Sequence, residues 1–319
     1  MTNTERPVIY IAVPCYNEEE VLPISSKALT GKLRALIDAG EISEKSRVAF
    51  IDDGSKDATW QIISDYCEKD ELICGIKLSR NRGHQNALLA GLMTLREHAD
   101  AVISIDADLQ DDVDVFDGMI AKYKEGCEIV FGVRGARETD TFLKRTTAQT
   151  YYKLLKMLGA DIIYNHADYR LMSRCALDAM SEYGEVNLFL RGIVPMLGYK
   201  YDCVYYDRAE RAAGKSKYSP GKMFALAWEG VTSISTRPLR FITVLGLLIF
   251  LCSIAMLIYF VVRYFTGHTV LGWASLAVSI WAIGGLLMLA IGIIGEYIGK
   301  IYLETKKRPR YHIEKTIIK

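Results

Sequence analysis

No two cysteines stand in a C-x-x-C spacing, and the seven present (Cys15, Cys67, Cys74, Cys127, Cys175, Cys203 and Cys252) are scattered and odd in number. A disulfide framework and a thiolate zinc site are thus disfavoured, and the cysteines read as reduced, small core residues of a cytosolic protein. Net charge is nearly absent, since 39 Lys and Arg against 38 Asp and Glu leave +1. A globally basic nucleic-acid binder is therefore disfavoured, and no nucleic-acid partner is expected. No G-x-G-x-x-G follows the first apolar run and no G-x-x-x-x-G-K-[ST] occurs anywhere, which argues against a dinucleotide Rossmann site and a P-loop. The first seven residues are polar and carry no secretory signature. What the chain does have is apolar substance: half of its 319 residues are hydrophobic, enough for one large domain or two ordinary ones.

Apolar runs alternate with helix-like stretches. Val8 to Val13 ends in Pro14-Cys15-Tyr16-Asn17-Glu18-Glu19-Glu20, where a helix with an acidic first turn is expected. Arg47 to Ile51 ends in Asp52-Asp53-Gly54-Ser55-Lys56-Asp57 before a helical Ala58 to Lys69. Ile73 to Leu78 leads through Ser79-Arg80-Asn81-Arg82-Gly83-His84-Gln85-Asn86 into an apolar helix, Ala87 to Leu95. Ala101 to Ile105 then meets Asp106-Ala107-Asp108-Leu109-Gln110-Asp111-Asp112, and a fifth strand, Ile129 to Val133, runs into basic residues before a helix-like Thr146 to Leu158. Alternating strand and helix imply an α/β fold with a mainly parallel sheet, whose ligands sit at the carboxyl ends of the strands. An isolated Asp-x-Asp is common by chance and most often a solvated loop. At a strand end among other polar strand ends, however, Asp106 and Asp108 form a pair of hard oxygen ligands suited to Mg²⁺ or Mn²⁺ on a diphosphate. Asp111 and Asp112 are left to begin the following helix.

The last third differs. Phe241 to Val262 contains no charge, and a second long uncharged segment is centred on Leu271 to Ile294. Each is long enough to span a bilayer, and Tyr259, Tyr264, Phe265 and Trp273 lie near the connecting loop. Arg237 and Arg240 precede the first span, and Lys300, Lys306, Lys307, Arg308 and Arg310 follow the second. This distribution puts both ends of the hairpin in the cytosol. Residues 217–236 suit an interfacial amphipathic helix, with an ordinary domain-packing helix as the alternative.

Val13-Pro14-Cys15-Tyr16-Asn17-Glu18, Ile51-Asp52-Asp53-Gly54-Ser55 and Asp106-Ala107-Asp108-Leu109-Gln110 resemble the inverting GT-A glycosyltransferases of family two. Gly83-His84-Gln85, Asp168-Tyr169-Arg170-Leu171, Asn187-Leu188-Phe189, Gly214-Lys215-Ser216-Lys217-Tyr218, Gly295-Glu296-Tyr297-Ile298-Gly299 and the two apolar spans resemble its polyprenyl-phosphate branch, particularly bacterial and prophage bactoprenol glucosyltransferases. Two departures stand out: Asp111-Asp112 replaces the branch's Asp-Pro or Asn-Pro, and Lys215 replaces Glu or Asp. Neither removes an expected ligand.

The resemblance implies a GT-A catalytic domain over 1–216, the interfacial segment 217–236, a transmembrane hairpin over 237–299 and a cytosolic basic tail over 300–319. It implies inverting transfer of a hexose, glucose first, from a UDP-sugar to undecaprenyl phosphate at the cytosolic face of the bacterial cell membrane. N-acetylglucosamine, galactose or another nucleotide sugar remains open as donor. Asp53 is expected on the uracil or ribose, with Pro14, Tyr16 and Glu18 in the same pocket, and Asp106 and Asp108 on Mg²⁺ or Mn²⁺. Asp168 either acts as base or orients sugar or acceptor, and Gln110 either holds the sugar or contacts the metal. Arg134, Arg145, Arg208, Arg211 and Lys217 are expected around the acceptor phosphate. A separate flippase, a downstream glycosyltransferase and a homo-oligomer are the further partners implied. A processive polysaccharide synthase would carry Gln-x-x-Arg-Trp and more spans, and an inactive membrane scaffold would tolerate loss of Asp53, Asp106 and Asp108.

Overall fold

The computed structural model describes residues 6–135, 166–207, 232, 235–266 and 272–319. Its centre is an eight-stranded sheet in the order β7-β5-β6-β4-β1-β2-β3-β8. The strands are β1 (Ile9–Cys15), β2 (Arg47–Asp52), β3 (Ile73–Leu78), β4 (Ala101–Ser104), β5 (Ile129–Arg134), β6 (His166–Ser173), β7 (Tyr201–Tyr206) and β8 (Ile313–Ile317). β6 runs antiparallel to β4 and β5, and β8 antiparallel to β3, while the other pairings are parallel. Strand β1 is buried at every residue. This is why it reads as an unbroken apolar run: a strand covered on both faces has no polar side to alternate.

Helices α1 (Leu22–Asp38), α2 (Thr59–Lys69) and α4 (Val115–Lys124) pack on one face, where Leu29, Leu33, Ile63, Phe116 and Met119 meet Ile11, Val13 and Phe50. Helices α3 (His84–Leu95), α5 (Arg174–Ser181) and α6 (Leu190–Met196) cover the other, with Leu88, Leu92, Leu177 and Ile193 against Ala12, Ile51 and Ile76. The winding reverses after β3: α3 crosses to the opposite face and β4 joins β1 on its far side. The crevice between the carboxyl ends of β1 and β4 is therefore the topological switch point. Pro14 fits there because the β1–β4 pairing stops at Ala12 and Ser104, so its missing N–H removes no ladder bond on that side.

Three local expectations change. Glu18, Glu19 and Glu20 precede α1 rather than entering its first turn, which holds no acidic residue; the Glu18 backbone and the Glu19 backbone and side chain instead tie the loop after β1 to the loop after β2. Only Cys15, Cys67, Cys74 and Cys127 are buried, whereas Cys175 and Cys252 are exposed and Cys203 is intermediate. Residues 300–319 are more than a basic tail, because β8 pairs Ile313 with Leu78, Lys315 with Lys77 and Ile317 with Gly75. The β-branched Ile313, Thr316, Ile317 and Ile318 suit a strand, Ile317 and Ile318 pack against opposite core faces, and Glu314 pairs with Lys77 at 3.0 Å. The strand caps the otherwise open edge of β3.

Helices α7 (Arg237–Phe265) and α8 (Trp273–Lys306) have 29 and 34 residues, or about 43 and 51 Å at 1.5 Å per residue. Both are long and apolar enough to cross a membrane, with candidate spans at Arg237–Met256 and Ala282–Lys306 whose described residues, Pro238 apart, are unburied within the protein. Helix α8 continues unbroken past Ile294, the end of the expected span, to the point where Lys300 and Glu304 meet Asn187. Thr146 to Leu158 and nearly all of the expected interfacial helix lie outside the described residues.

Candidate active site

The loops after β1 and β2 are sewn to each other. Asn17, held at φ 51°, donates its backbone N–H to Ser55 Oγ and accepts from Lys56 N at its side-chain oxygen. Glu18 N–H donates to Thr59 Oγ1, and Ala58 N–H donates to Glu19 Oε2 at 3.0 Å. Gly54 sits at φ 65°, and a Cβ there would lie 2.5 Å from the Arg80 carbonyl carbon, so only glycine permits this loop to approach its neighbour. Pro14 and Asp53 are buried beside the cleft floor, while Tyr16 and Glu18 are half-exposed at its rim.

Asp53, expected on the uracil or ribose, shapes a loop of the chain itself. Its carboxylate accepts from the Arg82 and Gly83 N–H groups at 2.7 and 2.9 Å, shaping the turn that starts α3. Burial raises its pKa, and these two hydrogen bonds act against that rise. The turn delivers His84, whose Nε2 lies 3.6 Å from Asp106 Oδ1 and 3.7 Å from Asp168 Oδ2.

Asp106 and Asp108 follow β4 in a turn. Ala107 between them is buried in the core, Leu109 has φ 51°, and Gln110 N–H donates to Asp108 Oδ1 at 3.2 Å. Burial raises the pKa of Asp106 against the pull of His84, and Asp168, Asp111 and Asp108 raise it further. A divalent cation would relieve that repulsion. Among the described residues no group of three or more His, Cys, Asp or Glu could hold a metal. The two carboxylates are hard oxygen groups of the kind a divalent cation takes, and such an ion would need further ligands from outside this pair.

Asp111 does not begin a helix, since α4 starts at Val115. Its side chain is buried and accepts at Oδ1 from Arg134 Nε and Nη2, at 3.1 and 2.9 Å, and from Tyr206 O–H at 2.5 Å. Asp112 accepts at its carbonyl from Tyr169 O–H and at Oδ1 from Asp114 N–H. Arg134, expected on the acceptor phosphate, is thereby tied by one guanidinium edge to the floor of the acidic turn. Arg145, Arg208, Arg211 and Lys217 lie outside the described residues.

The structure also brings in Arg170 and Arg191, which are not among the residues expected at the site. Arg191 grips Asp168 through Nε and Nη2 at 3.3 and 3.0 Å, and Arg170 Nη2 stands 3.5 Å from the same carboxylate. Burial alone would raise the pKa of Asp168, but Arg191, Arg170 and His84 hold it far below the usual carboxylate range. Such a group is a poor base at neutral pH. Alternation along β6 was the available signal, since Asp168 and Arg170 are two apart and share a strand face.

The chain matches the model of "Glycosyl transferase family 2" over residues 10–180. It is 52% identical over 309 residues to the uncharacterized glycosyltransferase YkoT of Bacillus subtilis (strain 168), covering 97% of this chain and 92% of that one. It is 42% identical over 315 residues to the prophage bactoprenol glucosyl transferase homolog of Escherichia coli (strain K12), covering 96% and 98%. Among solved structures, mannosyl-3-phosphoglycerate synthase from Rubrobacter xylanophilus is similar with a TM-score of 0.45 at 14% identity, covering 72% of this chain and 74% of that one. The family match runs from β1 through α5, across the strand ends that gather the carboxylates, and the chain belongs to glycosyl transferase family 2 as a glycosyltransferase.

Proposed function

We propose that the protein transfers a hexose, glucose in the first instance, from a UDP-sugar to undecaprenyl phosphate with inversion at the anomeric carbon. The observation that carries this reading is the Asp106–Asp108 pair at the switch point of a domain whose own sheet includes the strand beyond two apolar helices. The 42% identity to a protein named as a bactoprenol glucosyl transferase homolog supports both the polyprenyl acceptor and the glucose donor.

In this reading the loops around Pro14, Tyr16, Glu18 and Asp53 receive the nucleoside, and Asp106 and Asp108 hold Mg²⁺ or Mn²⁺ on the diphosphate. The bound ion would neutralise charge developing on departing UDP. An acceptor phosphate oxygen attacks the anomeric carbon as the bond to the β-phosphate oxygen breaks and its electron pair leaves with UDP. The attacking phosphate is already anionic near neutral pH, so positioning matters more than a base. Asp168, with its depressed pKa, therefore orients Arg191 rather than accepting a proton. In this reading Asp111 aims Arg134 in the same way, and Gln110, beside Asp108, holds the sugar or contacts the metal.

Tertiary structure also supports the membrane arrangement. β7 and β8 belong to one sheet, so the chain between them must cross a bilayer an even number of times. With α7 and α8 as the spans, the catalytic domain and C-terminus share the cytosolic side. A reporter fused after Lys319 is expected to behave as cytosolic, and an extracytoplasmic signal would contradict the hairpin.

The function is tested with purified protein in detergent, undecaprenyl phosphate, Mg²⁺ and a panel of radiolabelled UDP-hexoses. Label should enter an organic-extractable lipid, most rapidly from UDP-glucose. A panel yielding no labelled lipid would sink the assignment.

A further inference from the structure

Helix α8 does more than end near the catalytic domain. Its Glu304 accepts at Oε2 from Val186 N–H at 2.8 Å, and at Oε1 from Asn187 N–H at 2.7 Å and Asn187 Nδ2 at 2.8 Å. The same Nδ2 lies 3.3 Å from the Lys300 carbonyl, one turn earlier in the helix. Arg310 donates to the Tyr183 carbonyl, and Ser79 N–H donates to the His312 carbonyl at 3.0 Å where the chain turns toward β8. The cytosolic end of an apolar helix is thus fastened to both sides of the segment 183–187.

From Glu182 to Phe189 every residue is exposed or half-exposed; Tyr183 and Leu188 pack against the edge of the core, and between them the N–H groups of Val186 and Asn187 are held by Glu304. The segment feeds directly into α6, whose first residue, Leu190, is buried and donates its N–H to Gln85 Oε1 at 2.9 Å. The next residue is Arg191, which holds Asp168 with two hydrogen bonds. Arg191, which borders the reaction centre, therefore follows the clamped Asn187 by only four positions.

We propose that Glu304 is a positioning residue for sugar transfer, clamping Val186 and Asn187 so that the membrane helix sets Arg191 and Asp168 where the lipid phosphate emerges. This rests on the proposed reaction. It gives a purpose to Asn187-Leu188-Phe189 and to the end of α8 that an inert anchor does not require.

The test compares wild type, Glu304→Ala, Glu304→Gln, Arg191→Ala and the Glu304→Ala/Arg191→Ala double variant as full-length proteins in detergent. Turnover is measured with undecaprenyl phosphate and UDP-glucose, and UDP affinity separately. Glu304→Ala should lower turnover by about ten- to a hundredfold, the scale of misplacing reacting groups by about an ångström. Its UDP affinity should stay within about twofold, and Glu304→Gln, which keeps an acceptor oxygen, should recover part of the loss. In the Arg191→Ala background Glu304→Ala should add no further loss, because coupled residues are not additive. Hydrogen exchange should rise at 186–191 in Glu304→Ala and remain unchanged in β1 and β4. Full turnover in Glu304→Ala, losses that multiply in the double variant, or unchanged exchange at 186–191 would each overturn the proposal. A wild type that makes no lipid product, with exchange rising as described, would instead overturn the assigned reaction and leave the physical clamp standing.

Discussion

Replacing Asp108 with alanine is expected to abolish sugar transfer, by at least about 10²- to 10³-fold, the cost of losing one preorganised charge-stabilising group. The geometry limits compensation, since Asp106 and Asp108 project from one turn pinned by buried Ala107 and by the Gln110 N–H bond to Asp108. A second readout needs no catalysis. Wild type should gain thermal stability on adding Mn²⁺, with about 2.7 kcal/mol expected at a hundred times the dissociation constant, and Asp108→Ala should not. The sign of the pH effect follows from Asp106. Its pKa is raised in the fold by burial and neighbouring carboxylates, so falling pH favours its neutral form in the native state. Protons then compete with the metal, and the Mn²⁺-induced shift should shrink as pH is lowered toward the carboxylate range. Retained turnover in Asp108→Ala, or an undiminished Mn²⁺ shift, would remove the pair from its assigned place.

Asp168→Ala is expected to be the most destabilising single change in the cleft, by about 3 to 5 kcal/mol, because it strands a buried cation. Arg170 is 0% exposed, and its Nε and Nη1 have no hydrogen-bond partner among the described residues. Asp168 supplies the compensating charge, and burial is already lowering the Arg170 pKa against that help. Since the folded pKa of Asp168 is depressed, its stabilisation is present above the unfolded value of about 3.9 and is lost as pH falls through the folded value. The difference in stability between wild type and Asp168→Ala should accordingly be constant from pH 6 to 8 and narrow in acid, as read by denaturant unfolding. Turnover of wild type should show no inflection from this group near neutrality. Equal stability of the two proteins, or a turnover inflection near pH 6 to 7 that Asp168→Asn removes, would restore the role of base.

Much of the catalytic layer was legible because each element obeys a local rule. The parallel strands are buried on both faces and read as apolar runs, and their polar ends coincide with the ends of those runs. Carboxylates at positions 53, 106 and 108 could therefore be placed at one edge before any contact was known. The acidic residues at 111 and 112 could not be explained in the same way. Asp111 is paired with Arg134 and Tyr206, 23 and 95 residues away, and nothing in the local pattern distinguishes it from a helix-opening aspartate.

The sequence by itself determined the α/β layering, the acidic strand end and two helices long enough for a bilayer, since each depends on residue spacing within one segment. Only the tertiary structure decided which charges neutralise one another. Asp168 became the anchor of two arginines, Arg134 was drawn onto Asp111, and the basic tail became an edge strand with Glu304 clamped on Val186 and Asn187, 118 and 117 residues distant. The physical reason is the same in each case. A side chain's chemistry is local, but its pKa, its partner and its remaining freedom depend on which distant backbone the packed core carries to it.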